Sequence, residues 1–296
     1  MVYLHAVVYT ALGRAIAIAL ATLVTFGLVF LREATSPSGE GYWTAMAAAP
    51  GGGLYVADEI HRELRLVQPG GGYTRVGTLP AGIFRALAAD GPNLVLATEG
   101  RLWVSSDTGA SWRAVLPGRF TAASVSGRHE LAGAWGLGLY ASDDAGATWS
   151  EAQVPAGDTE FEAIIPGFAA TLLGLLRLDG GSWQRVAAIP DRVTALSYEP
   201  ADNTVRAGDW RGKVWLYDVD SGRVLPSAAY VWAVLSLAGP VTATTNGIYP
   251  DRGGPLHGRE VTRVVLSQNG FWAAEARGPI FFSRDGIGGW SLAYQG

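Results

Sequence analysis

No cysteine occurs among the 296 residues. That absence excludes disulfide frameworks, thiolate metal centres and cysteine nucleophiles together. Lysine is nearly missing as well: of 22 basic residues, all but Lys213 are arginine. The cationic side chains are therefore bidentate forks rather than point charges. Charge of either sign is scarce, at 16% of residues, and the formal net charge is −4. A weakly acidic chain lacks the electrostatic footprint of a nucleic-acid binder, so no nucleic-acid partner is expected. Histidine is sparse too. His5, His61, His129 and His257 are isolated, with no pair at metal-ligand spacing, so no metal and no cofactor is expected. Neither a G-x-S-x-G nor a P-loop phrase is present, and Gly51-Gly52-Gly53 and Gly70-Gly71-Gly72 read as hairpin turns rather than phosphate cradles.

What is present in excess is apolar, glycine-punctuated and aromatic: 49% hydrophobic residues, 40 glycines and 11 tryptophans. Such a chain reads as many short strands joined by tight turns, and its length suffices for a sizeable core. One segment differs. Ala15 to Leu31 is a seventeen-residue run without a charge, and the apolar character continues back past Arg14 towards Val2. Roughly 20 residues cross a bilayer, so the segment reads as a transmembrane helix. Its length and the poor cleavage site at Arg32-Glu33-Ala34 favour a retained signal anchor over residues 1–33. Positive-inside reasoning puts the bulk of the chain outside the cytoplasm as a single-pass membrane protein. Arg14 inside an overlong run, beside small residues such as Ala11, Gly13, Ala15 and Ala19, leaves two readings open. The expected reading is that residues 2–31, with 11–31 as the membrane segment, dock on another membrane subunit; the alternative is that residues 2–13 lie in the cytoplasmic interface and Arg14 snorkels to phosphates. Residues 34–41 form a polar linker.

The remainder, residues 42–296, is an internal repeat. Ser105-Ser106-Asp107-Thr108-Gly109-Ala110-Ser111-Trp112 recurs 37 residues later as Ser142-Asp143-Asp144-Ala145-Gly146-Ala147-Thr148-Trp149. A decayed copy is Ser283-Arg284-Asp285-Gly286-Ile287-Gly288-Gly289-Trp290, and a more decayed one is Leu178-Asp179-Gly180-Gly181-Ser182-Trp183. The physics is that of a hairpin: serine and aspartate oxygens accept turn N–H groups, glycine takes positive φ, and tryptophan staples the turn to its sheet. These aspartates are therefore read as structural. A second phrase opens each unit, as Trp43-Thr44-Ala45-Met46, Phe84-Arg85-Ala86-Leu87, Ala122-Ala123-Ser124-Val125, Phe161-Glu162-Ala163-Ile164, Val193-Thr194-Ala195-Leu196, Val231-Trp232-Ala233-Val234 and Thr262-Arg263-Val264-Val265. Seven units at this spacing predict seven four-stranded antiparallel blades around an axis, small residues facing the axis. The fourth strand of the seventh unit reaches the C-terminus, leaving no obvious strand to swap, so the ring is expected to close blade against blade.

The phrase S-x-D-x-G-x-[ST]-W resembles the Asp-box of BNR-type propellers, a group that includes sialidases, sortilin-like ectodomains and Ycf48-like photosystem assembly factors. The resemblance covers roughly residues 42–296 and implies an all-β, seven-bladed propeller behind one N-terminal transmembrane helix. Ycf48-like proteins imply a non-catalytic assembly role outside the cytoplasm, and this chain departs from them in its retained membrane helix.

Enzyme readings find little to hold. The sialidase resemblance implies an Arg-Ile-Pro phrase and a tyrosine nucleophile; the nearest stretch here is Ile83-Phe84-Arg85-Ala86-Leu87, and no tyrosine sits in that context. A two-carboxylate glycosidase needs acids facing one cleft, and Glu99, Glu162 and Glu275 fall on one face. An extracytoplasmic glycan-binding or glycan-cleaving propeller thus stays as the alternative. The principal expectation is a non-catalytic, membrane-anchored subunit or assembly factor of a membrane protein complex. Its partner face is the one bearing the starts of the inner strands, with Arg85, Glu162, Trp232 and Arg263 at the axial mouth. Glu99, Trp135, Trp210, Arg211 and Glu275 stand in the loops after the second strands. Tryptophan and arginine dominate binding hot spots.

Overall fold

The computed structural model describes residues 45–225, 232–249, 256–275 and 278–295. The expected anchor with Arg14, the linker, Trp43 and Thr44 lie outside the described residues. Among the described residues no helix is long and apolar enough to cross a membrane.

Continuous apolar runs such as Leu94-Val95-Leu96-Ala97 are too short for helices and too uniformly hydrophobic for a strand with one wet face. They become strands covered on both sides. Blade 1 comprises β1 (Met46–Ala48), β2 (Leu54–Asp58), β3 (Glu63–Val67) and β4 (Tyr73–Thr78). Blade 2 comprises β5 (Phe84–Asp90), β6 (Asn93–Thr98), β7 (Arg101–Ser105) and β8 (Arg113–Pro117). Blade 3 is β9 (Phe120–Ser126), β10 (His129–Ala134), β11 (Gly138–Ser142) and β12 (Ser150–Ala152). Blade 4 is β13 (Phe161–Ile165), β14 (Phe168–Thr171), β15 (Gly174–Asp179) and β16 (Ser182–Arg185). Blade 5 is β17 (Val193–Glu199), β18 (Thr204–Asp209), β19 (Val214–Asp218) and β20 (Val224–Leu225). Blade 6 shows β21 (Val234–Ala238), β22 (Val241–Thr244) and β23 (Gly247–Tyr249) among the described residues, and blade 7 is β24 (Val261–Ser267), β25 (Gly270–Glu275), β26 (Ile280–Ser283) and β27 (Ser291–Tyr294). Each sheet is an antiparallel meander in sequence order, and the inner strands touch one another in turn around the axis. The molecule is a seven-bladed β-propeller.

The strictest repeat lies in the second strands. Ala57, Ala97, Gly133, Ala170, Gly208, Ala243 and Ala274 occupy equivalent positions, and all are buried. The reason is the approach of the next blade. A Cβ on Gly133 would stand 2.3 Å from Phe161 Cβ, and one on Gly208 would stand 2.4 Å from a Val234 methyl. The inner strands share a further device that correct phasing reveals. In blades 2 to 7 the pairing of first and second strands slips by one residue at the same place, and the extra residues are Arg85, Thr121, Glu162, Thr194, Leu235 and Thr262. These are β-bulges, which turn a side chain out of the ladder.

That register corrects the sequence reading in three blades. The equivalent of Phe84-Arg85-Ala86-Leu87 is Phe120-Thr121-Ala122-Ala123 in blade 3, not Ala122 to Val125. It is Val234-Leu235-Ser236-Leu237 in blade 6, not Val231 to Val234, and Val261-Thr262-Arg263-Val264 in blade 7, not Thr262 to Val265. Alanine-rich stretches tolerate a slip of one to three residues without losing their pattern, whereas the bulge fixes the phase.

Among the described residues the ring closes without strand exchange. Met46, Leu54, Val56 and Val67 of blade 1 share one core with Trp272, Ala274, Ile280, Phe282 and Tyr294 of blade 7. Trp272 is fully buried there and donates to Ser267 Oγ at 3.1 Å, while Ser267 donates to the Gly52 carbonyl across the seam at 3.1 Å. At the other end of the seam, buried Arg65 meets Asp58 at 2.7 Å and Glu63 at 2.9 Å, donates to the Tyr294 hydroxyl, and lies 4.4 Å over the Tyr73 ring.

The hairpins between third and fourth strands form the lower face. In blade 2, Ser105 Oγ accepts the Gly109 amide at 2.8 Å and donates to Asp107, whose carboxylate accepts the Ser111 amide at 2.9 Å and hydroxyl at 2.6 Å. Blade 3 repeats this with Ser142, Gly146, Asp144 and Thr148. Bonds from the hydroxyl and amide of Ser111, and likewise of Thr148, pull the carboxyls of Asp107 and Asp144 down to about 2. Trp149 donates to the Gly146 carbonyl at 3.2 Å, and Trp112 and Trp290 pack against neighbouring apolar side chains. Blade 7 departs from the pattern: Asp285 accepts the Ile287 and Gly288 amides, with Gly289 where the hydroxyl stood. Blade 4 abandons it for a two-residue turn at Gly180 and Gly181, both with positive φ, keeping only Trp183.

Candidate functional site

The upper face carries the starts of the inner strands, the turns between second and third strands, and the connections from one blade to the next. In blades 2, 4, 5 and 6 the second-to-third turn is held by a polar residue closing the second strand. Thr98 Oγ1 accepts the Arg101 amide at 3.0 Å, Thr171 the Leu173 amide at 3.1 Å, Thr244 the Asn246 amide at 3.1 Å, and Asp209 the Arg211 amide at 2.8 Å. The sequence reading missed this repeat, although a buried Thr or Asp followed by a turn glycine is visible in Thr98-Glu99-Gly100, Asp209-Trp210-Arg211-Gly212 and Thr244-Thr245-Asn246-Gly247. Capping by one small residue leaves the following side chains free to vary, and these are where the candidate residues fall.

Three of the nine candidates come together across blades 2 and 3. Arg85, on the first bulge, pairs through Nη2 with Glu99; Glu99 also takes Arg119 Nη2 at 3.4 Å; and the Arg119 guanidinium lies 5.0 Å over the Trp135 ring. Arg85 Nε is buried with no acceptor among the described residues. Next to this cluster Glu59 accepts the Phe84 amide at 3.2 Å, and burial pushes its carboxyl up. A second group spans blades 4 and 5. Glu162 meets Arg192 at 2.5 Å, Asp191 meets Arg211 at 3.7 Å, and Arg211 lies 4.9 Å over Trp210. Glu275 stands apart with Arg259 at 2.7 Å. Trp232 precedes its strand and is 43% exposed, so it is not the mouth-lining residue that the sequence phase implied. In blade 3 the bulge position is held by Thr121, whose hydroxyl donates to the Phe161 carbonyl of the next blade at 2.6 Å, as Thr194 does to Val234 at 2.7 Å.

Arg263 is the exception that rephasing exposes. In the small column of the inner strands it stands where the other described blades have Ala45, Ala86, Ala122, Ala163, Ala195 and Ser236. Its side chain enters an axial cavity of about 300 Å³, where Glu162 is the other charged lining residue. The cavity leaves it open to solvent inside the ring but walls it in protein, and this desolvation pushes the guanidinium pKa down. Among the described residues no group of His, Cys, Asp and Glu forms a metal site. Glu99, Glu162 and Glu275, the candidate glycosidase carboxylates, each carry their own arginine.

Sequence reasoning passed over Arg119, Asp191, Arg192 and Arg259, which bridge or flank the candidates. The available signal was positional: Arg119 and Arg192 directly precede Phe120 and Val193, the first core residues of their inner strands.

No protein-family model and no curated protein matches the chain. Solved structures match in fold. Streptogramin B lyase superposes with a TM-score of 0.65 at 9% identity, covering 83% of this chain and 94% of its own. The extracellular domain of a two-component system protein, BT4673 of B. thetaiotaomicron, gives 0.64 at 15%, covering 84% of this chain but only 39% of the longer protein. YCF48 bound to a D1 peptide gives 0.49 at 14%, covering 87% and 84%, too loose an overlay to bear on function. A lyase and the extracellular domain of a two-component system share this ring, so the likeness speaks for the propeller alone.

Proposed function

We propose that the protein is a non-catalytic, membrane-anchored propeller that binds a protein subunit of a membrane complex through the axial part of its upper face. The observation that carries this reading is the pair of arginines set among small residues in the inner ring: Arg85, on a bulge, with a buried unsatisfied Nε, and Arg263, in the axial cavity that Glu162 also lines. Planar guanidinium donors set in a rigid mouth suit a carboxylate-bearing or carbonyl-rich segment of a partner. Residues 11–31 act as the membrane segment of the anchor, which keeps the ring near membrane partners, with the ring outside the cytoplasm.

The test is affinity purification of the tagged full-length chain from detergent-solubilised membranes. Stoichiometric membrane subunits are expected with the wild type, and their loss with Arg263→Ala and Arg85→Ala at unchanged melting temperature. Recovery of a free monomer that binds glycans overturns the reading, as does full partner occupancy in both variants.

A further inference from the structure

The upper face carries a second feature outside the charged mouth. Seven large apolar side chains stand exposed on it: Ile60, Leu137, Leu173 and Trp210 near the tips of second-to-third turns, with Trp135 beside Leu137, and Ile83 and Trp232 on connections between blades. Their exposure runs from 38% to 49%. The seven other exposed large apolar residues among the described ones are divided between the outermost strands and the lower face. The upper seven project from blades 1, 3, 4 and 5 and from the connections leading to blades 2 and 6. They follow most of the circumference and do not gather in one sector. A protein partner of ordinary size covers a sector, whereas a plane touches such a rim everywhere at once.

Two further observations identify the plane. Arginine backs tryptophan at two tips, Arg119 over Trp135 and Arg211 over Trp210, the amphipathic pairing that suits the headgroup layer of a bilayer. The lower face is unsuited to that layer, since exposed Asp107, Asp143, Asp202, Asp220 and Asp285 outnumber the arginines among its turns and would be repelled by anionic lipid. The chain also joins the ring on the upper side: the Ala45 carbonyl accepts the Ala57 amide at 3.0 Å, one residue before β2 ends. Only residues 32–44 separate that point from the apolar run, a reach of at most about 45 Å.

We infer that the apolar rim of the upper face seats on the headgroup layer of a phospholipid bilayer, its tryptophan, leucine and isoleucine tips entering the interface around the partner-binding mouth. The inference rests on the anchor reading of residues 11–31 and adds a lipid-binding surface to it.

The chain's lack of cysteine makes the test direct. Trp135→Cys, Leu137→Cys and Leu173→Cys report the rim, and Asp220→Cys and Ile287→Cys the lower face, each carrying an environment-sensitive fluorophore on the full-length chain. The probe is a vesicle of phosphatidylcholine and phosphatidylglycerol containing spin-labelled lipid. Expected are blue-shifted, lipid-quenched emission from the rim labels and unquenched, water-like emission from the lower-face labels. Ile60→Ser with Ile83→Ser should reduce the quenching at position 173 while partner recovery in the affinity purification persists. Rim labels that stay in water although the chain floats with the vesicles overturn the inference and leave the anchor standing. Protection of the rim only in native membranes assigns it to protein and overturns the inference too. A chain that does not float at all overturns both it and the anchor.

Discussion

On the lower face, Ser105 and Ser142 each hold the amide of a glycine four residues on, and Asp107 and Asp144 each hold a hydroxyl and an amide with bond lengths agreeing to 0.1 Å. On the upper face the six bulged positions of blades 2 to 7 are Arg, Thr, Glu, Thr, Leu and Thr. The backbone device repeats there while the side chain does not. Where the bulge is threonine its hydroxyl can bridge to the next blade; where it is Arg85 or Glu162 that stitch is absent and the side chain joins an ion pair at the mouth. Repetition marks what every blade needs in order to fold, and divergence on a repeated backbone marks what the ring has been free to use.

The sharpest challenge to that division is Arg65, which lies on the upper side yet is structural by its surroundings. It is 5% exposed and its partner Asp58 is 2% exposed. Arg65→Ala leaves a buried carboxylate without its cation, a loss of about 3–5 kcal/mol. Among the described residues the seam between blades 1 and 7 has no exchanged strand to compensate, so a fall in thermal midpoint larger than for any rim substitution is expected by near-UV circular dichroism. A change below 1 kcal/mol would show that the apolar core around Trp272 closes the ring alone.

A second challenge comes from the lower face. Glu130 is 1% exposed, neither oxygen has a hydrogen-bond partner among the described residues, and burial pushes its carboxyl up to about 7, opposed by Arg113 and helped by Asp144. The neutral acid is thus the form the fold favours. With the folded pKa above the ordinary 4.5, its stabilising contribution is complete below pH 4.5 and is lost as pH rises to 7, a span of about 3 kcal/mol. Glu130→Gln should flatten that part of the stability profile measured by urea unfolding from pH 4 to 8. An unchanged slope would mean that the carboxylate ionises freely in the fold.

Within the repeated turn the two polar residues are unequal. Gly146 is buried and Ser142 supplies its acceptor, whereas Thr148, held by Asp144, is exposed. Ser142→Ala strands a buried amide and should cost about 1–3 kcal/mol. Asp144→Asn should cost less, because the Thr148 groups it holds are exposed, and should remove a contribution that is present above the ordinary carboxyl range and fades as pH falls towards 2. Equal unfolding midpoints for the two variants at pH 7 would contradict this ranking.

The same contrast explains what the sequence disclosed. Blades 2 and 3 were legible because their turns need the same serine, aspartate and glycine to satisfy the same amides. The seven-fold count followed from spacing alone. Phase failed in blades 3, 6 and 7 because alanine, serine and valine fill inner-strand positions interchangeably, and the bulge that sets the register leaves no residue type of its own. Arg263 was singled out but placed in the wrong column, which hid that it replaces an alanine facing the cavity. Arg85 and Glu99 were legible as strand-end residues; Arg119 and Arg192 were not, since connections between blades have no repeated phrase to align.

The smallest expected effect on stability is the most informative for the upper face. Arg85, Glu99 and Arg119 are 25%, 31% and 44% exposed at the side chain, so solvent screens the cluster and its net contribution to folding is about 1 kcal/mol or less. Glu99→Gln keeps the shape and removes the charge that holds two guanidinium groups in place. If the cluster served the fold, its melting temperature would drop as far as that of Ser142→Ala and partner recovery would be untouched. If the divergence at this bulge serves recognition, the melt stays within about a degree or two while occupancy of the partner subunit falls, because two released arginines sample conformations that the partner must reorder on binding. Measuring both quantities on the same preparation, and repeating them with Thr121→Val as a bulge that stitches blades, separates the two uses of one backbone position: Thr121→Val should lower the melt and leave the partner in place.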